Sequence, residues 1–190
     1  MRTTVQEALQ TAMLMLASAA LFAVFFQFNA WIFSALEYRS GINWVFLPSG
    51  FRVILVLILG LPGAVGIMLG TWYIDRMDLS NEFIWLALCN GLVSGWTPWL
   101  TLKWFEKRKM ISLHLNDMTV QQLLNFTMVY AAANALAHHG IWLLLHRVNI
   151  NGWVDVWPMF VGDMTGALLM LYAWKLLLKF VKQGLPLPKK

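Results

Sequence analysis

The chain has 190 residues, of which 59% are hydrophobic and only 12% charged, with a mean hydropathy of +0.63 and a formal net charge of +5. Soluble domains carry about twice that charged fraction, so a water-soluble globular domain is excluded. Lys and Arg gather at the ends of apolar blocks, which argues for membrane orientation and against nucleic acid as a partner.

The apolar residues fall in blocks at roughly 8–36, 50–60, 62–76, 82–103, 121–146 and 154–181. Runs such as Val53 to Leu59 and Ile141 to Leu145 do not alternate polar with apolar. That excludes barrel strands and leaves helices, the other way to satisfy backbone groups in lipid. The first block resembles a signal peptide, with Arg2 ahead of it and Ala17-Ser18-Ala19 within. It stays apolar through Leu36, so an anchored helix is expected.

The second and third blocks meet at Leu61-Pro62-Gly63, where Pro removes a helical hydrogen bond and Gly loosens the chain. Residues 44–76 read either as one kinked helix or as two short helices. The fourth block holds the single cysteine, Cys89, which excludes an internal disulfide and reads as a packing residue. This block ends in Lys103, Lys107, Arg108 and Lys109, and His114 in the connection beyond is expected to be solvated. Thr119-Val-Gln-Gln122 has the spacing of a capping box that opens the fifth helix. The sixth helix leads to a basic tail, 184–190, expected to be disordered.

The expected architecture is an all-α integral membrane protein. It is a polytopic helical bundle of about six transmembrane helices, or five if 44–76 is one kinked helix. A single domain covers 1–183. Charge asymmetry places the Lys103–Lys109 loop and the C-terminus in the cytoplasm; the bacterial inner membrane is what the resemblance described next implies. Trp31, Trp44, Trp72, Trp85, Trp104 and Trp153 lie near block ends, as an interfacial belt requires.

Two stretches carry a resemblance. Asn43-Trp44-Val-Phe-Leu-Pro48-Ser49-Gly50, then Gly60-Leu-Pro62-Gly63 and Gly66…Leu69-Gly70, is similar to the opening of the bacterial membrane-associated sensor domain family. Trp157-Pro158…Gly162-Asp163-Met-Thr-Gly166 resembles its closing helix. That family is an integral membrane sensor module, similar to the membrane part of the hexose-phosphate sensor kinase. The resemblance implies a multi-helix bundle in which the Pro-Ser-Gly and Gly-Asp helices are separate elements, and it favours two short helices over 44–76. It covers about a third of the chain by motif. The chain carries no kinase, cyclase or phosphodiesterase domain and is shorter than the usual module, so a standalone, truncated version is expected.

Ionisable groups inside apolar blocks are costly and point to function. Arg52, Asp163, His138 and His139 are the candidates, with Asn29, Asn90, Asn125 and Asn134 as uncharged companions. Counted along their helices, Arg52 lies about 6 Å and Asp163 about 8 Å below the outer end. Asn90, His138 and His139 lie about 10–12 Å down, so all share the outer half of the membrane. Arg52 sits in a first helical turn, where a cation opposes the helix dipole and calls for an anion. Asp163 is one answer, as a structural salt bridge; a carboxylate or phosphate ligand is another.

His138 and His139 point about 100° apart on a helix, and no metal-ligand spacing accompanies them. Polar helix packing, a ligand role and metal or haem ligation all stand as readings for the pair. No metal or cofactor is expected. No phosphate loop, nucleophile elbow or paired carboxylates appear, so no enzyme is expected either.

The leading functional expectation is a non-enzymatic sensor-like protein. It binds a small solute, an anion being one option, at Arg52, Asp163, His138, His139, Asn90 and Asn134, and signals through a membrane partner. A solute transporter or transporter subunit and a structural accessory subunit are the alternatives.

Overall fold

Proline and glycine divide the chain where 44–76 left a choice. The computed structural model describes residues 2–39, 41–112, 118–147 and 151–184. In it, α2 (Leu47–Leu59) and α3 (Leu61–Ile74) are separate helices. Gly60 between them has φ +61°, a left-handed conformation that glycine adopts without steric cost. Pro48 and Pro62 each stand in the first turn of their helix, where the missing amide has no partner to lose. Each helix is about 20 Å long at 1.5 Å per residue.

Four longer helices complete the set: α1 (Arg2–Ile32), α4 (Ile84–Lys107), α5 (Val120–Leu144) and α6 (Gly152–Gly184). Six α-helices are therefore present among the described residues. The α5 start carries the expected capping box. Thr119 Oγ1 accepts from the Gln122 amide at 3.2 Å, and Gln122 Oε1 accepts from the Thr119 amide at 2.9 Å. Pro98 inside α4 withdraws the amide that would otherwise bond the Ser94 carbonyl. The stretch between α1 and α2, expected as a plain connection, holds an antiparallel hairpin of β1 (Glu37–Arg39) and β2 (Ile42–Asn43). The Glu37 side chain accepts from the Gly41 amide at 3.3 Å and closes its turn. His114 and the tail beyond Gly184 lie outside the described residues.

α2 is the centre of the bundle and touches all five other helices. α1, α3 and α5 run toward the hairpin end, and α2, α4 and α6 run away from it. Small residues let the backbones approach. A Cβ on Gly66 would run into Ser18, and one on Gly70 would meet the Ala19 carbonyl at 2.8 Å, so α3 lies tight on α1. Ser18 Oγ donates to the Gly63 carbonyl at 3.2 Å in the same seam. Gly91 and Gly95 seat α4 against Trp72 and the Ala64 carbonyl of α3.

The Pro48-Ser49-Gly50 and Gly162…Gly166 motifs meet in space. A Cβ on Gly50 would stand 2.5 Å from Met170 Cβ and 2.7 Å from Ala167 Cα. Gly162 and Gly166 lie directly beneath the carbonyls of Asn43 and Phe46, and the Phe46 amide donates to the Gly162 carbonyl at 3.1 Å.

Many large apolar side chains face outward, while several polar ones are buried beside the apolar core. Leu9, Leu16, Val24, Trp31, Trp85, Leu144 and Trp157 are each more than half exposed, while Ser49, Arg52, Ser94, Asn134, His138 and Asp163 are buried. Two segments, Thr4–Ile32 and Val154–Trp174, are both long and apolar enough to cross a membrane. α4 and α5 have the length but carry more polar side chains. One apolar cluster joins Val53 and Val56 of α2 to Leu102, Phe105, Phe126 and Tyr130. A second, at the hairpin end, joins Ile42, Ala135, Trp142 and Met159.

Candidate functional site

Arg52 is placed by the helix start at Leu47-Pro48, which puts it in the second turn of the central helix, 4% exposed. Its Nη2 donates to Ser94 Oγ at 3.1 Å. The guanidinium carbon lies 5.1 Å from the Phe22 ring centre and 5.4 Å from that of Phe46, within cation–π range. Nε and Nη1 have no hydrogen-bond partner. A buried donor left unmade is expensive, and Arg52 carries two of the buried atoms without a partner, beside others such as His138 Nδ1 and Thr127 Oγ1.

Asp163 is 1% exposed on α6. Asn134 Nδ2 of α5 donates to its Oδ2 at 2.7 Å. It makes no ion pair with Arg52, whereas Arg39 pairs with Asp155 at 3.5 Å and Lys103 with Glu106 at 2.7 Å. The direct salt bridge considered for Arg52 and Asp163 therefore does not form. Each charge has a neutral partner instead.

One turn of α4 toward the hairpin end from Ser94 stands Asn90. It accepts from Trp142 Nε1 at 2.8 Å and donates to Asp75 Oδ2 at 3.3 Å. His138 Nε2 lies 3.5 Å from Ser94 Oγ, and its Nδ1 has no partner. These groups line a cavity of about 560 Å³. Its walls include Arg52, Asp163, Asn90, Ser94 and His138 among the apolar Phe46, Leu86, Trp142 and Met159. The exposed Glu37, Gly41, Asp78 and Phe83 form its rim, with Asp75 and Arg147 half-buried beside them.

The rim has its own electrostatics. Burial pushes the Asp75 carboxyl above its ordinary value of 3.8, the Asn90 hydrogen bond opposes this, and Asp78 nearby adds to the rise. Burial lowers the Arg147 pKa, against the pull of Asp75 and Asp78. The Arg147 guanidinium stacks over Trp142, 4.0 Å from the ring centre.

Of the residues singled out from sequence, Arg52, Asp163, Asn90 and His138 line this one cavity. Asn134 does not line it; it stands behind Asp163 and holds its carboxylate. His139 does not line it either. Its Nδ1 lies 3.0 Å from the Ala135 carbonyl and its ring packs 5.0 Å from Trp142. Asn29 accepts from the Leu47 amide at 2.9 Å and so caps the α2 start, while Asn125 is exposed beside Gln121.

Ser94, Asp75 and Arg147 were not singled out. Ser94 had a signal: it follows Asn90 by four residues and so shares its helix face. Asp75 and Arg147 read only as charges outside the helices. Their place at the rim depends on how α3 and α5 end.

Chemically, the cavity offers guanidinium donors for an anionic oxygen, an imidazole, the amides or hydroxyls of Asn43, Thr71, Asn90 and Ser94, and several carboxylates. No group of three or more His, Cys, Asp or Glu among the described residues is placed to hold a metal ion. No family model, curated protein or solved structure matches the chain.

Proposed function

We propose that the chain is a multi-pass protein of the bacterial inner membrane that binds a small solute through an anionic group and reports its occupancy to a membrane partner. It performs no chemistry of its own. The carrying observation is Arg52: a buried cation on the central helix, facing a cavity with Nε and Nη1 unbonded. Intramembrane ionisable groups that face a cavity are functional by default.

Six membrane crossings are supported by the apolar exterior and polar interior of the whole bundle. The basic end of α4, at Lys103, Lys107 and Arg108, lies opposite the hairpin end, so the positive-inside bias turns the cavity outward. The likeness to the membrane-associated sensor family favours sensing. The meeting of its two motifs at the α2–α6 contact adds to that. The basic Lys103–Lys109 segment or the end of α6 is where a partner would dock. Transport is the second reading, favoured by the Gly60 break and the Pro98 interruption.

After Cys89→Ala, sidedness is read in sealed vesicles of known orientation and binding in lipid nanodiscs. Single cysteines at Glu37 and Lys107 should label from opposite faces. Thermal-shift screening against small carboxylates, phosphates and amino acids should yield a stabilising solute, and Arg52→Gln should remove the shift. No shift from any of these, or labelling of both cysteines from one face, refutes the reading. Net uptake of that solute into protein-containing vesicles replaces sensing by transport.

A further inference from the structure

Charge around the cavity does not suit a plain anion. Four carboxylates, Glu37, Asp75, Asp78 and Asp163, line it against two arginines, Arg52 and Arg147. Three of those carboxylates stand at or just inside the rim. A simple carboxylate or phosphate moving toward Arg52 would pass them with only Arg147 to offset the repulsion.

We infer that the solute is a small zwitterion with an apolar substituent: its acidic group on Arg52, its ammonium on Asp75, the two one or two carbons apart. This rests on reading the cavity as a solute site and names the ligand class.

α4 measures the separation. Ser94 holds Arg52 at 3.1 Å, and Asn90, four residues earlier, holds Asp75 at 3.3 Å. Four residues rise about 6 Å along a helix. The two side chains that hold the charges therefore start about one turn apart on one face of α4, which sets the spacing of Arg52 from Asp75 on the order of 6 Å. A ligand must bridge that step with a hydrogen bond at each end, of about 2.8 Å for charged partners. The amine and acid oxygens of an α-amino acid stand about 3 Å apart by ordinary bond lengths. Such a molecule spans about 6–9 Å according to the angle of its hydrogen bonds. A lone anion reaches one end only, and a chain with widely separated charges overshoots.

The remaining wall answers the rest of the molecule. Phe46, Leu86, Trp142 and Met159 present apolar surface in the same cavity as the two charged ends. Each carboxylate accepts one amide, Asp163 from Asn134 at 2.7 Å and Asp75 from Asn90 at 3.3 Å; Asp75, half-buried nearer the rim and holding the longer bond, is the carboxylate for the ammonium.

The experiment is calorimetry on the full chain in nanodiscs with L-phenylalanine, L-leucine, 3-phenylpropionate, phenethylamine and inorganic phosphate. L-Phenylalanine or L-leucine should bind at least tenfold tighter than any of the other three. Asp75→Asn, which keeps the shape and the Asn90 contact, should erase that preference, weakening the amino acids and, with one repelling carboxylate gone, tightening 3-phenylpropionate. Should that variant not fold, Asp78→Asn must weaken amino-acid binding alone. Equal affinity for L-phenylalanine and 3-phenylpropionate, or for phenethylamine, overturns the zwitterion. So does an unchanged preference in Asp75→Asn, or tighter binding of phosphate, and in these cases the solute site stands. If none of the five binds, the zwitterion and the solute site fall together.

Discussion

Arg52 and Asp163 face one cavity from neighbouring helices, yet each is held by a neutral side chain: Ser94 for the guanidinium, Asn134 for the carboxylate. Both are buried without a direct ion pair between them, as separate roles would require. Breaking a direct buried pair costs about 3–5 kcal/mol. Here a double-mutant cycle of Arg52→Gln and Asp163→Asn should give a coupling of about 1 kcal/mol or less in unfolding from detergent. The double variant should bind solute no better than Arg52→Gln alone. Restored binding in the double variant would show that the pair acts as a unit.

Gly162 and Gly166 have room for nothing larger than hydrogen, because the Asn43 and Phe46 carbonyls lie over them. Gly166→Leu should cost more than about 3 kcal/mol through overpacking and detach the hairpin from α6. Gly140→Ala is the control: a Cβ there meets nothing within 4 Å. It should gain about 0.5–1 kcal/mol from helix propensity. Thermal unfolding of both variants in one detergent decides the matter.

Thr119→Ala removes the side-chain acceptor of the α5 capping box. The expected cost is about 1 kcal/mol, with amide exchange accelerated at Gln122 and not at the centre of α5. A uniform rise along the helix would mean that the cap does not anchor it.

Burial raises the Asp75 pKa above 3.8. The folded state then holds that proton more tightly than the unfolded chain does. Its contribution to stability is complete below the unfolded value and is lost as pH rises through the folded one. Asp75→Asn cannot lose a proton, so its stability relative to the native chain should increase across that window and level off above it. Paired melting curves from pH 3.5 upward read this directly; a gap independent of pH refutes the assigned cause.

Much of the fold is written in local chemistry. Leu61-Pro62-Gly63 marks the α2–α3 boundary because Pro and Gly act within one turn, and Thr119 to Gln122 marks a cap for the same reason. The shared depth of Arg52, Asn90, His138 and Asp163 follows from counting along helices. What counting cannot supply is which way each side chain faces. Adjacent His138 and His139 illustrate this: both are buried, but only the first reaches the cavity. Asn134 matched the others in kind, and the packing of α5 on α6 gave it to Asp163. The hairpin escaped notice because its strands have three and two residues, too few for an alternation to register.

The central helix stops about 20 Å from its start, and the space around its inner half is filled by Val56, Leu102, Phe105 and Phe126, the last two rings edge to face at 5.4 Å. The chamber at Arg52 thus has an apolar floor. On the proposed reading, a solute admitted between Glu37 and Asp78 would meet that aromatic pair below the cavity and exchange with the hairpin side.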